Sequence, residues 1–301
     1  MPATTSSTAT LLVTGASGKL GKAVVQHLLD TVQVDPSRIV AGTRTPDKLS
    51  HFAERGVQVR HLDFNDAATV STVALGVDRV LLICSDDVVG RLTTQKKAVE
   101  AFVEAGVQHI LYTSLQALDK TLFKVGDDHR AMEEAIKESK VPGYTFLRNG
   151  LYYENNFGPI AGAKKQGKWM TAAKDGKLSA ISRDDLARAN AFALASDNYE
   201  NQMYELTGPE ALTIDEFVGH ISELLKISID VVQISEDELA QMISVMTGWP
   251  VEACKILSSL DVTIAAGRAS DITDDYEKLT GVKAQTHREW LEASKAILEA
   301  L

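Results

Sequence analysis

The chain has 301 residues, 45% of them hydrophobic and 24% charged, which is enough for one large or two smaller globular domains. Its formal net charge of −10 at pH 7 argues against nucleic acid as a partner, because a phosphate-binding surface is basic. No apolar run reaches the length of a membrane span, and no apolar core of a signal peptide follows Met1, so we expect the Ser/Thr-rich start to be a frayed tail, with a processed leader as the alternative. Cys84 and Cys254 lie far apart and belong to no Cys-x-x-Cys motif or Cys/His cluster, so we expect neither a disulfide framework nor a metal site. This cysteine usage fits the reducing cytoplasm, where we expect the protein to be found.

The first predicted elements are a strand over residues 11–13 and a helix over residues 20–29, joined by a turn with three glycines. Gly15, Gly18 and Gly21 have the spacing G-x-x-G-x-x-G. A dinucleotide-binding turn needs glycine for a tight bend, for close approach of the backbone to a pyrophosphate, and for close packing of helix on strand. Glycine also serves ordinary turns, but the position between a strand and a helix favours dinucleotide binding.

The end of the second predicted strand selects the cofactor. An acidic residue there binds the ribose 2′-hydroxyl of NAD, whereas an arginine accommodates the 2′-phosphate of NADP. The chain has Arg44 at this position and Lys48 four residues later, so we predict NADP(H); the alternative is that both are solvated loop cations. After the third strand, Asp63 and Phe64 are candidates to border the adenine, although Asp63 also suits a helix cap.

Short apolar strands alternate with amphipathic helices through the first half of the chain. The predicted strands after the first cover residues 38–44, 57–64, 78–84, 109–115 and 144–150. This alternation predicts an α/β protein with a Rossmann-type, doubly wound parallel sheet. We assign residues 11–150 to an NADP-binding domain, preceded by a flexible tail of residues 1–10. Residues 151–301 are assigned to a smaller substrate-binding α/β lobe, from which segments can return to the main sheet.

The second half contains short strands and helices without a Pro-, Gly- or Ser-rich linker before them. Ser182 is a predicted helix N-cap. Further on, Met242, Met246 and Trp249 lie near a Gly-Trp-Pro break between two predicted helices. We expect Met246 and Trp249 to line an acceptor pocket between the lobes, because methionine adapts to planar ligands and tryptophan can stack on them; core packing is the alternative for the methionines.

The sequence lacks the tyrosine and lysine, four residues apart, that act as general acid and base in short-chain dehydrogenases. Tyr112 is followed at that spacing by Gln116, and Tyr144 by Arg148. His129, at the start of the fifth crossover helix, is a catalytic candidate if it faces the cleft, the alternative being a surface histidine at a helix end. Hydride transfer needs chiefly proximity and orientation, so an enzyme reducing an electron-poor acceptor can work without a strong protein acid.

Several segments together resemble the NmrA-like atypical short-chain dehydrogenases, and among them the NADPH-dependent quinone oxidoreductase 2 type, with triphenylmethane reductase as a near relative. The segments are TGASGKLG, TRTPDK, the DF after the third strand, YTSL and, most specifically, YTFLRNGLYYENN. The resemblance covers nearly the whole chain. Family members often carry a lysine shortly after the position of His129, where this chain reads AMEEA.

The resemblance implies an NADPH site and places an acceptor beside it. The implied cofactor residues are Thr14, Gly15, Ser17, Gly18, Lys19 and Leu20 at the turn, Arg44 and Lys48 at the 2′-phosphate, and Cys84, Ser85, Thr113 and Ser114 along the cofactor. Asn149, Tyr152 and Tyr153 are implied to flank the nicotinamide and the acceptor. Asn149 follows a strand, where its amide can orient a carboxamide or a quinone oxygen, and aromatic faces suit planar rings. Packing between the lobes is the alternative role for the two tyrosines.

Two functions from different classes remain open. The first is an NADPH-dependent reductase of quinones or similar planar electrophiles, as the resemblance implies, working as a monomer or homodimer. The second is a redox-sensing regulator that binds NADP without turnover. The missing tyrosine and lysine pair favours the regulator, and the LRNG segment with its tyrosines favours the reductase. A nucleotide-sugar epimerase is disfavoured because it normally needs that pair.

Overall fold

The computed structural model describes residues 8–85 and 90–301, which form eleven strands and thirteen α-helices. The strands are β1 (Leu11–Val13), β2 (Ile39–Thr43), β3 (Gln58–His61), β4 (Arg79–Leu82), β5 (His109–Leu115), β6 (Gly143–Asn149), β7 (Lys168–Thr171), β8 (Lys177–Leu178), β9 (Gln202–Leu206), β10 (Leu212–Thr213) and β11 (Asp230–Gln233). The helices are α1 (Lys19–Asp30), α2 (Ser50–Ala53), α3 (Ala67–Val73), α4 (Arg91–Glu104), α5 (Gly126–Glu138), α6 (Phe157–Gln166), α7 (Arg183–Ala195), α8 (Ile214–Leu225), α9 (Glu236–Thr247), α10 (Val251–Ala265), α11 (Asp275–Thr280), α12 (His287–Ala293) and α13 (Lys295–Ala300).

Seven of the strands form one parallel sheet in the order β3-β2-β1-β4-β5-β6-β9. The order reverses between β1 and β4, and this reversal is the switch point of a doubly wound sheet. Strands β1, β2, β4 and β5 are buried along their whole lengths, because helices cover both faces of the sheet. The predicted Rossmann-type α/β fold is therefore confirmed.

Helix α1 packs through one apolar stripe. Its buried residues include Leu20, Val24, Val25, Leu28 and Leu29, which recur at helical spacing. They belong to the same core cluster as β1 and β2 and as residues of α7. The helical periodicity of the sequence is thus explained by a single face that is removed from water.

Two segments from the second half return to the main sheet. Strand β9 pairs in parallel with β6, and α7 packs against α1. The α7 helix begins as predicted, because the Ser182 hydroxyl accepts a hydrogen bond from the Asp185 N–H. Residues after 150 therefore contribute to the core around the main sheet as well as to a core of their own.

The second core lies among α6, α8, α12 and the small sheet of β7 and β11. Its large buried side chains include Trp169, Phe217 and Trp290. A capping box formed by Thr213 and Glu216 begins α8. These residues form a hydrophobic core separate from the cores on the two faces of the main sheet.

Most of the predicted N-terminal tail, residues 1–7, lies outside the described residues. Ala9 is buried, and the Thr10 N–H donates to Asp78. Among the helices in residues 8–85 and 90–301, none combines the length and the apolar character that crossing a bilayer requires.

Candidate active site

A cleft of about 1040 Å³ lies at the carboxyl ends of the central strands, spanning the switch point between β1 and β4. This volume is at the upper end of the roughly 300–1,000 Å³ usual for small-molecule sites. The predicted cofactor residues in its lining are Gly15, Ser17, Gly18, Lys19, Leu20, Gly21, Arg44, Asp63, Phe64, Cys84, Ser85, Thr113 and Ser114. We call the part formed by residues 15–21, 43–44 and 62–65 the β1–β3 side, and the remainder, from Ile83 onward, the β4–β6 side.

The glycine turn forms the floor of the β1–β3 side. Gly15 has φ +59°, in the left-handed region that favours glycine, and its carbonyl accepts a hydrogen bond of 2.9 Å from the Gly18 N–H. A Cβ on Gly21 would lie 2.9 Å from the Ala16 Cα, so a side chain there would push the helix away from the turn. In the described residues, no side chain caps the start of α1, which leaves its N–H groups for an anion.

The strand end after β2 joins this turn through hydroxyl groups. The Thr43 hydroxyl donates to the Ser17 hydroxyl at 2.7 Å, and Arg44 follows at the cleft surface. Lys48 is exposed in a short 3-10 turn and lies outside the described lining, so the structure does not bring it together with Arg44 in the cleft. Asp66, and not Asp63, is the N-cap of α3, which leaves Asp63 in the cleft lining.

Buried threonines align the strand ends around the switch point. The Thr14 hydroxyl donates to the Leu81 carbonyl and accepts from the Ile83 N–H, which ties β1 to β4. The Thr113 hydroxyl likewise accepts from the Cys84 N–H at 2.8 Å. Thr14 is fully buried and is absent from the described lining, so its place is behind the cleft wall.

His129 lines the β4–β6 side of the cleft and is not the surface histidine of the alternative interpretation. It is 6% exposed, and its Nδ1 is 2.9 Å from the Tyr112 hydroxyl. Burial, and then the Arg91 guanidinium, lower the pKa of His129 to about 3, so the ring is neutral at neutral pH. Arg91 also lines the cleft and is paired with Asp128 at 2.9 Å.

Asn149 and Tyr152 enter the cleft lining from the end of β6. Asn149 is 4% exposed, and neither polar atom of its amide makes a hydrogen bond of ordinary geometry within residues 8–85 and 90–301, although the amide lies close enough to the Tyr152 phenol to favour its ionised form. Burying an incompletely paired amide costs free energy, which makes Asn149 a candidate ligand-binding group. The Arg183 guanidinium lies 5.2 Å from the centre of the Tyr152 ring, and burial raises the pKa of the Tyr152 phenol.

Tyr153 does not lie in the described cleft lining, contrary to the prediction for the site. It is 1% exposed and packs in the second core, with its ring centre 5.1 Å from the rings of His287 and Trp290. Tyr152 and Tyr153 face different surroundings because the backbone of Tyr152 is extended, with φ −80° and ψ 135°, and successive side chains of an extended chain point to opposite sides. Of the two roles considered for Tyr153, its surroundings therefore favour packing over contact with the acceptor.

The placement of Met246 and Trp249 is also corrected. They are 58% and 50% exposed and are absent from the described lining. Gly248, with φ +73°, ends α9, and α9 and α10 pack against each other through other residues, which leaves this turn at the surface. From this pair of helices, Leu257 lines the cleft.

Sequence reasoning missed a buried ionic cluster behind the β4–β6 side. Arg148 donates to both carboxylate oxygens of Glu133, at 3.0 and 2.9 Å, and to Asp119 and Glu205. The Ser114 hydroxyl, beside the cleft, donates to the same Glu133 at 2.6 Å. Glu133 belongs to the AMEEA segment. The arginine inside the apolar strand β6 was the available signal, since a buried charge needs a partner.

The described residues contain no group of three or more His, Cys, Asp and Glu side chains that could hold a metal ion.

Comparisons with known proteins point to one family. The model of the NmrA-like family matches residues 7–291. Quinone oxidoreductase 2 of Escherichia coli (strain K12) is 32% identical over 271 residues, covering 90% of this chain and 93% of that protein.

Two solved structures are similar over nearly their whole lengths. The NADPH complex of the Escherichia coli quinone oxidoreductase superposes with a TM-score of 0.88 at 31% identity, covering 94% of this chain and 99% of that one. The triphenylmethane reductase of Citrobacter sp., complexed with NADP(H), has a TM-score of 0.85 at 31% identity, with coverage of 94% and 100%.

Proposed function

The chain belongs to the NmrA-like family, and we propose that it uses NADPH to reduce quinones or similar planar electrophiles. The predicted family is confirmed, as are the predictions of an oxidoreductase and of NADP(H) as its cofactor. The quinone acceptor and the individual site residues belong to the proposal. NADPH supplies a hydride, and the protein's own residues bind and orient the reactants.

The β1–β3 side fits a dinucleotide phosphate. A Cβ on Gly18 would lie 3.1 Å from the Gly15 carbonyl oxygen, so a side chain there would press against the backbone of the turn. The charged side chains in the described lining of this side are two cations, Lys19 and Arg44, and one carboxylate, Asp63, while Arg183 and the Asp128-paired Arg91 lie on the β4–β6 side. In a chain with a net charge of −10, this local excess of positive charge supports an anionic ligand.

The buried, incompletely paired amide of Asn149 in the cleft lining is the observation that carries the proposal on the acceptor side. An Asn side chain both donates and accepts, so it can bind the nicotinamide carboxamide or a carbonyl oxygen of the acceptor. Tyr152 adds an aromatic face beside it. In the proposal, Asn149 and Tyr152 orient a planar acceptor against the nicotinamide.

The test is oxidation of NADPH, followed by its absorbance, with a panel of quinones. We expect reduction by the wild-type protein and a loss of about tenfold or more in kcat/KM for Asn149→Ala, roughly 1.4 kcal/mol. Asn201→Ala is the matched control, because Asn201 is exposed and binds the Tyr144 N–H at the opposite end of the sheet. Binding of NADPH without reduction of any quinone would contradict the proposal and favour the regulator.

A further inference from the structure

The hydrogen bond between Tyr112 and His129 determines which ring nitrogen of His129 carries the proton. Tyr112 lies on the buried strand β5, and burial, followed by the neighbouring Cys84 thiol, raises the pKa of its phenol well above 10. The hydroxyl therefore keeps its proton. A thiol is a weak acceptor, so the phenol donates to the better acceptor, Nδ1 of His129 at 2.9 Å. The neutral imidazole then carries its proton on Nε2.

Burial, and then the charge of Arg91, lowers the pKa of His129 and keeps the ring neutral. The carboxylates on the same helix, Asp128 and Glu133, are bound by Arg91 and by Arg148 with Ser114, respectively. Neither carboxylate is hydrogen-bonded to the imidazole in the described structure, and Nε2 remains the polar atom that His129 can offer to the cleft.

We propose that His129 binds the acceptor oxygen through Nε2–H as negative charge develops there, with Tyr112 as the residue that positions the ring. The inference rests on the proposed function and narrows its substrate class to acceptors with a conjugated carbonyl, such as quinones. Two-electron reduction by hydride oxidises the nicotinamide, adds one hydrogen to the acceptor and leaves one negative charge on its oxygen. The proton that completes the hydroquinone comes from water. A fixed neutral imidazole stabilises such an oxyanion without transferring its own proton.

A comparison of two acceptors with different chemistry distinguishes oxyanion binding by His129 from a structural role of this residue. A quinone gains charge on oxygen, whereas a cationic triphenylmethane dye takes the hydride on carbon and becomes neutral. We expect His129→Phe, which keeps a ring but has no N–H donor, to lower kcat for the quinone by about 10²–10³-fold, the usual effect of losing an oxyanion donor, and to leave dye reduction unchanged. His129→Gln, whose amide N–H can donate in place of Nε2–H, should restore part of the quinone activity. Tyr112→Phe should give a smaller loss of the same selectivity. His61→Phe, at an exposed histidine outside the described lining, is the control.

Equal losses with both acceptors, or no loss with the quinone, would overturn the proposal. A wild-type protein that reduces neither acceptor would contradict the proposed function instead. In that case ¹⁵N NMR of labelled histidines still tests which ring nitrogen of His129 carries the proton, because the measurement needs no turnover. We expect His129 to show a protonated Nε2 and an unprotonated Nδ1, and to stay neutral at about pH 6.5, the pKa of a histidine side chain in a model peptide. A proton on Nδ1, or titration of His129 near that pH, would overturn the proposal.

Discussion

The two sides of the cleft are held in shape by different interactions. On the β1–β3 side, backbone contacts within residues 15–21 set the shape of the turn, and glycine permits them. On the β4–β6 side, buried polar side chains from distant segments do so, as in the pairs Tyr112–His129 and Glu133–Arg148. The first side should therefore be sensitive to added volume, and the second to removed groups. The predictions below test this difference.

The largest effect is expected from Arg148→Met on the β4–β6 side. The substitution leaves the Glu133 carboxylate buried without its main partner, so we expect a loss of about 3–5 kcal/mol in the free energy of unfolding. Urea denaturation measures it. The double variant Arg148→Met/Glu133→Leu should recover much of the loss, because the most buried of the three carboxylates is then also removed, while Asp119 is exposed and Glu205 keeps its hydrogen bond from the Ala117 N–H. A single variant that loses less than about 1 kcal/mol would show that this cluster does not support the cleft.

On the β1–β3 side, Gly18→Val should lower NADPH affinity at least 100-fold, about 2.7 kcal/mol, without unfolding the protein. The added branched side chain would fill the space needed by the pyrophosphate, where even a Cβ lies 3.1 Å from a backbone oxygen. Calorimetric titration measures affinity, and circular dichroism checks the fold. Gly158→Ala is the control, since a Cβ there meets nothing within 4 Å in the described structure. Normal NADPH binding by folded Gly18→Val would refute the assignment of the turn.

Replacing Arg44 with alanine should weaken NADPH binding by about 2 kcal/mol and leave NADH binding nearly unchanged. The reason is the loss of a charge-assisted hydrogen bond to the 2′-phosphate, which NADH lacks. Lys48→Ala should have a smaller effect, because Lys48 lies outside the described lining. Titrations that show the same loss for both cofactors would place Arg44 elsewhere than at the 2′-phosphate.

The smallest effect is expected from Trp249→Ala. Because Trp249 is half exposed and is not part of the described lining, the KM for a quinone should change by less than about twofold, or 0.4 kcal/mol. Steady-state kinetics of the folded variant measures it. A tenfold rise in KM would contradict this expectation and support the sequence-based assignment of Trp249 to the acceptor pocket.

The features that the sequence predicted correctly depend on residues close together in the chain. The glycine turn and the Ser182 cap are each specified within a few residues, and the parallel, doubly wound sheet follows from the alternation of strands and helices. The errors concern side-chain direction in the second half. Neighbouring Tyr152 and Tyr153 have the same chemistry, and only the packing of distant helices decides which one meets the cleft. The exposure of Trp249 likewise depends on how two helices pair.

The return of α7 and β9 to the main sheet affects the order in which the chain can fold during synthesis. Helix α1 packs against α7, which is complete only when residue 195 has been made. At roughly 5–20 residues per second, this is about ten to thirty seconds after α1 itself. Until β9 arrives, β6 is an edge strand with unpaired backbone groups, a template for pairing with other chains. The yield of refolding should therefore fall as protein concentration rises.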